Sequence, residues 1–118
     1  MKWFGHVDAV YLHREPVDFR KSINGLVVMV DSEMALSPYA PAVFVFCNKR
    51  RDKMKILSWD ETGFVLWYKR LEKAKFKWPR KHEEQVIEIS TESLDWLLRG
   101  FNLAALKPHQ VLHFRHAT

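Results

Sequence analysis

The chain has 118 residues and a formal net charge of +5, and 47% of its residues are hydrophobic and 14% aromatic. Such a composition excludes a disordered tail protein, so we predict one folded domain over residues 1–118, with a core at about 10–101 and a tail at 102–118. Cys47 is the single cysteine, which excludes an internal disulfide and favours a reducing compartment. No apolar run reaches the roughly 20 residues that cross a bilayer, so we expect a cytoplasmic protein that contacts no membrane.

The N-terminal part predicts a strand followed by a helix. Residues 10–13 suit a short strand, which ends before Pro16 because proline lacks a backbone donor. A helix is predicted over residues 18–34, with Asp18 as its N-cap. Apolar side chains recur there at helical spacing and form one stripe, which we expect to cover a sheet. The stripe consists of Phe19, Ile23, Leu26, Val27, Val30 and Met34.

Three strands are predicted in the middle of the chain, at residues 42–47, 53–59 and 64–71. The second connection is the tight turn 60–63, in which Gly63 is expected to take a positive φ. Direct closure of both loops pairs residue 47 with 53 and residue 59 with 64. A slip of one residue in either loop would exchange the two faces. In this register one apolar face collects Phe44, Phe46, Met54, Ile56, Val65 and Trp67.

The C-terminal part predicts further short elements. Residues 76–78 suggest a fourth strand, which Pro79 ends, and residues 85–89 another strand. Thr91 can cap a helix that stops near Gly100. Its apolar positions are Leu94, Leu97, Leu98 and Phe101. The predicted fold class is therefore α+β, an antiparallel β-meander with a packed N-terminal helix and a C-terminal helix.

Positive charge is concentrated in residues 47–81. This stretch holds 12 of the 19 Lys and Arg residues but only four of the 14 Asp and Glu residues, a local charge of +8 beside −3 in the remainder. Such a segment favours an anionic partner, with cations on phosphates and an aromatic ring stacked on an exposed base. A sheet edge protected by lysines would also account for the charge. The candidate DNA-binding residues are Lys49, Arg50, Arg51, Lys53, Lys55, Tyr68 and Arg70.

Catalytic chemistry has weaker support in the sequence. Asp52, Asp60 and Glu61 could be imagined as metal-holding carboxylates of a nuclease, but they fall in predicted turns, where Asp commonly bonds its own backbone. Three tail histidines have spacings of four and three, which on a helix could hold a metal: His109, His113 and His116. They lack nearby cysteines and a firm helical pattern. We therefore predict no catalytic residue, no metal and no cofactor.

Three sequence blocks carry a resemblance to a known family. They are PVDFRKSINGL at 16–26, AVFVFCNKRRDKMKIL at 42–57 and WDETGFVLWYKRLEKAKFKWP at 59–79. These blocks closely resemble TnpB, the second open reading frame product of IS66-type insertion sequences, over roughly residues 10–98. The pattern departs from the family at Ser58, at Ala74 and at Ala40-Pro41, and the alanine at 74 puts a tight third turn in doubt.

The resemblance implies an accessory protein that is needed for transposition. It would work beside a separate, larger catalytic transposase and a second small accessory protein. Two functions remain open on this basis, and a metal-dependent nuclease in its own right ranks third behind them. One is a DNA-binding factor that applies the hairpin cations to transposon ends or target DNA, and the other is an assembly module that binds an acidic surface of the transposase.

Overall fold

The computed structural model describes residues 7–100, which form a five-stranded sheet with one helix on each face. The elements are β1 (Ala9–His13), α1 (Ile23–Ser32), β2 (Ala42–Cys47), β3 (Lys53–Asp60), β4 (Gly63–Arg70), β5 (Val86–Ile89) and α2 (Thr91–Leu98). The strand order is β4-β3-β2-β1-β5. The predicted α+β class is confirmed.

The sheet combines the predicted meander with a parallel pair. Strands β2, β3 and β4 are antiparallel neighbours. Strand β1 runs parallel to β2, with Val10 opposite Val43, and β5 pairs antiparallel with β1. The prediction that all strands are antiparallel is therefore wrong for β1, which is parallel to β2. Parallel neighbours need a long crossover connection, which the segment containing α1 supplies.

Strand β2 lies at the centre of two apolar layers, and all six of its residues are buried. Val43 and Val45 face the layer that contains α2, whereas Phe44 and Phe46 face the layer that contains α1. Burial on both faces explains why this strand is a continuous apolar run rather than an alternating one.

The predicted pairing of β2 with β3 is wrong by one residue. Cys47 lies opposite Met54, because Asn48 extends the ladder and donates its backbone N–H to the Lys53 carbonyl at 3.2 Å. The slip separates the six residues expected on one face. Phe44 and Phe46 lie on the α1 side, whereas Met54, Ile56 and Trp67 belong to the α2 side. The predicted pairing of Trp59 with Phe64 is confirmed.

Helix α1 begins four residues later than the predicted helix, whose N-cap was placed at residue 18. Its N-cap is Ser22, and Asp18 instead forms a turn in which its carboxylate accepts the Arg20 backbone N–H at 2.9 Å and binds the Arg20 guanidinium at 2.6 Å. The predicted Asp18 cap is therefore wrong. The apolar stripe is confirmed, since all its members contribute to the α1 layer, with Leu26 and Val30 fully buried.

The later connections differ from expectation in three places. Residues 76–78 are not a strand, although Phe76 is fully buried. The turn after β3 places the positive φ on Glu61, at 47°, rather than on Gly63. Ser90, not Thr91, caps α2, and its hydroxyl accepts the Ser93 N–H at 3.0 Å.

Two other expectations for this region agree with the structure. Residues 86–89 form the predicted strand, and Gly100, with φ at 87°, follows the end of α2. Phe101 and the tail histidines lie outside the described residues. Within residues 7–100, no helix is long and apolar enough to span a membrane.

Candidate nucleic-acid interface

Two connections meet at one end of the sheet and bring most of the positive charge together. They are the loop between β2 and β3 and the segment that follows β4. Leu71 donates its backbone N–H to the Asp52 carbonyl at 2.7 Å, and Phe76 donates to the Arg51 carbonyl at 2.7 Å. We call the surface formed by residues 48–53 and 70–81 the basic end.

The loop at the basic end is shaped by one asparagine side chain. Asn48 Oδ1 accepts the backbone N–H groups of Asp52 at 3.1 Å and Lys53 at 3.0 Å, and its Nδ2 donates to the Asp52 carboxylate at 2.7 Å. Arg51 turns the chain with a φ of 61°. Lys49 and Arg50 are consequently held exposed at the tip.

Residues 72–81 form an extended segment without secondary-structure pairing, which we call the lysine segment. Phe76 and Trp78 point into the α2 layer and are buried. The Trp78 Nε1 donates to the Arg14 carbonyl at 2.9 Å, which draws the segment across the end of β1. Alternation of buried rings with charged residues leaves five cations exposed: Lys73, Lys75, Lys77, Arg80 and Lys81.

Not every predicted cation is available to a ligand. Arg70 is exposed but already binds the Glu72 carboxylate at 2.9 Å. Arg51 and Lys53 are half-buried at the base of the loop. Lys69, on the opposite face of β4 from Arg70, donates to the Leu98 carbonyl at 3.0 Å. The freest charges of the predicted set are therefore Lys49 and Arg50.

Lys55, one of the candidate DNA-binding residues named from the sequence, lies inside the protein and does not emerge at the surface. Its Nζ donates to the backbone carbonyls of Phe19 and Lys21, both at 2.9 Å, and lies 4.8 Å from the centre of the Phe19 ring. Burial lowers the pKa of this lysine. Lys55 fastens the turn before α1 to the sheet, because its ammonium replaces water as the donor to two carbonyls.

Tyr68 remains at the surface next to this buried ammonium. Its side chain is 48% exposed, and its ring makes an edge contact with Phe19 at 6.0 Å between centroids. The Lys55 Nζ lies 5.7 Å from the Tyr68 ring centre. The exposed part of the ring could receive an unpaired base, whereas the bases of an intact duplex are already stacked.

The acidic residues imagined as nuclease ligands are not brought together. Asp52 and Asp60 stand at opposite ends of β3, about 27 Å apart at the usual rise per strand residue. Asn48 donates a hydrogen bond to the Asp52 carboxylate, which lowers the pKa of that carboxyl. The Asp52 side chain therefore stabilises the loop between β2 and β3. No group of three potential metal-binding side chains occurs within residues 7–100. Cys47 is buried in the core, and burial raises its pKa to about 12.

The candidate set drawn from the sequence omits the lysine segment, which is the richest source of exposed charge. A signal for it was present, because KFKW at 75–78 alternates charged and aromatic residues as a chain with one buried side does. Successive side chains of this extended segment point to opposite sides even though the segment pairs with no neighbouring strand. Exposure of the lysines follows from the two buried rings rather than from strand pairing.

The structure thus defines a small α+β protein with a cationic surface at one end of its sheet. Comparison with known proteins places it more closely. Residues 8–108 match the family described as IS66 Orf2 like protein, and the chain belongs to that family. Membership assigns it an accessory role in the transposition of an IS66-type insertion sequence.

Two relatives come from Sinorhizobium fredii (strain NBRC 101917 / NGR234). The "Uncharacterized protein y4jC" is 37% identical over 93 residues, covering 79% of each chain. The "Uncharacterized protein y4hO" is 30% identical over 93 residues, covering 79% of this chain and 80% of the relative. No solved structure matches the chain.

Proposed function

We propose that this accessory protein binds DNA phosphates through the basic end while it assists the separate catalytic transposase of its element. The observation that carries the proposal is the set of exposed cations at the basic end that have no ion-pair partner among residues 7–100. The set contains Lys49, Arg50, Lys73, Lys75, Lys77, Arg80 and Lys81. Backbone bonds join the loop to the lysine segment, so these charges belong to one surface.

The chemistry of these residues suits the DNA backbone rather than base edges. Lysine is a flexible point charge that neutralises phosphates without a fixed geometry. If all seven cations contacted a duplex, the logarithm of the binding constant would fall with the logarithm of salt concentration with a slope of about −6. Because phosphates carry no sequence information, binding by this surface should be similar on different duplex sequences.

Salt-dependent fluorescence anisotropy with a labelled duplex tests the proposal. The Lys49→Ala/Arg50→Ala variant should reduce the slope by about 1.8, since each lost phosphate contact contributes about 0.9. A control with the same change in net charge, Thr62→Glu/Ser37→Glu, alters the other end of the sheet. The two substituted positions lie farther from the basic end than the screening length of about 10 Å, so this variant should keep the wild-type slope.

Two results would overturn the proposal. One is a wild-type protein whose binding does not weaken with salt. The other is a Lys49→Ala/Arg50→Ala variant that keeps full DNA affinity but no longer retains the transposase in a pull-down. In that case the basic end would be a protein interface, and the assembly function would replace DNA binding.

Tyr68 gives the proposal a second, independent part. Its half-exposed ring can stack only on an unpaired or distorted base. Tyr68→Ala should weaken binding to single-stranded or hairpin DNA by about 1 to 3 kcal/mol, the usual cost of one lost base stack, and change duplex binding little. Equal weakening of binding to both kinds of DNA would show that Tyr68 does not stack on a base.

A further inference from the structure

The outer edge of β4 leaves backbone hydrogen-bonding groups without a strand partner among residues 7–100. Strand β4 is the last strand of the sheet, paired on one side with β3. Leu71 donates to Asp52 across that pair, so the odd-numbered residues of β4 face β3. The N–H and C=O groups of Phe64, Leu66 and Tyr68 therefore point away from the sheet.

The two edges of the sheet are protected to different degrees. Strand β5 has only four residues, and Glu88 is exposed at its centre. Strand β4 has eight residues, and its first six, GFVLWY, contain neither a charge nor a proline. Val65 is 42% exposed and Tyr68 is 48% exposed. Natural sheets shorten, charge or bend an edge that must stay unpaired, so β4 has the character of an edge that receives another strand.

Charges at the two ends of β4 indicate which strand it receives. The acidic turn with Asp60 and Glu61 precedes the strand, and Lys69 and Arg70 end it. Antiparallel alignment of two copies of β4 brings the acidic turn of each beside the basic residues of the other. A parallel alignment would bring like charges together. The edge is therefore complementary to a second copy of itself, as an interface with twofold symmetry requires.

We propose that two copies of this chain associate by antiparallel pairing of their β4 strands, which joins the two sheets into one of ten strands. The uncharged residues 63–68 lie in the middle of the pair, with the outward-facing Leu66 of each copy at the twofold axis. Thr62 of one copy then lies opposite Arg70 of the other. Glu61, next to Thr62, approaches Arg70 in competition with Glu72, and this approach occurs twice. The basic ends of the two copies then point in opposite directions along the strands. This inference rests on the sheet edge and holds whether or not the basic end binds DNA.

Sedimentation equilibrium of the full chain over a dilution series tests the association. The wild type should show twice the mass of one chain. Leu66→Pro removes an outward-facing N–H without removing a bond to β3 and should show the mass of one chain. Leu66→Ala loses a similar side chain but keeps the N–H, and it should remain a dimer. A wild type with the mass of one chain throughout, or a dimeric Leu66→Pro, would overturn the proposal.

A charge exchange tests the antiparallel alignment and does not depend on how well the proline variant folds. Glu61→Lys and Arg70→Glu should each weaken homodimer formation about tenfold, because each places two like-charge contacts in the interface. An equimolar mixture should recover the wild-type dissociation constant, since both contacts are then between opposite charges. A mixture that associates no better than its components would contradict the alignment.

Discussion

Lys55→Met separates a structural lysine from a phosphate-binding one. Methionine keeps much of the length and apolar character of the side chain but removes the ammonium group. In the wild type, Nζ donates to the Phe19 and Lys21 carbonyls at 2.9 Å each and lies over the Phe19 ring. We expect the substitution to destabilise the fold and to leave the DNA salt dependence unchanged.

The expected magnitude follows from opposing contributions to the free energy of unfolding. Two hydrogen bonds from a charged donor contribute roughly 1.5 to 3 kcal/mol each. Keeping an ammonium group away from water costs several kcal/mol, a cost that methionine avoids. We therefore expect a net loss of about 2 kcal/mol. For a chain of this size the loss corresponds to a decrease in Tm of roughly 6 to 12 °C.

The assay combines urea denaturation, followed by circular dichroism, with the anisotropy measurement. Lys53→Met is the matched control, because residue 53 lies on the same face of β3 but is half-buried and makes no side-chain bond to the turn before α1. It should change stability by less than about 0.5 kcal/mol. If Lys55→Met unfolds like the wild type and lowers the salt slope by about 0.9, Lys55 contacts phosphate and its structural role is refuted.

Three further predictions test other parts of the account. Phe76→Ala should cost about 3 to 5 kcal/mol in chemical denaturation, whereas its exposed neighbour Lys75→Ala should cost less than about 0.5; equal costs would show that the ring does not anchor the lysine segment. Burial raises the pKa of the Cys47 thiol to about 12, so the thiol should resist a thiol reagent at pH 8 until the chain unfolds. The contribution of this thiol to the free energy of unfolding should fall as pH rises from 9 towards 12, because the unfolded chain loses its proton first. Rapid labelling of the folded protein would contradict the burial of Cys47. Pure protein with Mg²⁺ or Mn²⁺ should leave plasmid DNA intact, and cleavage that Asp52→Ala or Asp60→Ala abolishes would establish a nuclease site.

Much of the fold can be predicted because the strongest sequence signals are local. The continuous apolar run of β2 and the helical stripe of α1 each report burial directly. The register between β2 and β3 could not be predicted in the same way. It depends on whether Asn48 belongs to the loop or to the ladder, and hydrogen bonds from its side chain to Asp52 and Lys53 decide this. The shift of one residue in the pairing places Phe44 and Phe46 on the opposite face of the sheet from Met54 and Ile56.

The location of the candidate site was predictable, but the availability of each cation was not. Net charge along the sequence identifies residues 47–81 as basic. Whether a lysine reaches solvent depends on distant chain segments, as Lys55 and the carbonyls of residues 19 and 21 demonstrate. The lysine segment is the reverse case, since its period of two already separates buried Phe76 and Trp78 from exposed lysines.

The most direct test of DNA binding by the basic end is an amide chemical-shift titration of the isotopically labelled protein with a short duplex. We expect the largest shifts at residues 49–51 and 73–81, and little change at residues 37–40 and 60–63 at the other end of the sheet. Raising the salt concentration should reverse these shifts, because the contacts are to phosphates. Shifts concentrated at residues 60–63, with the basic end unchanged, would contradict the account.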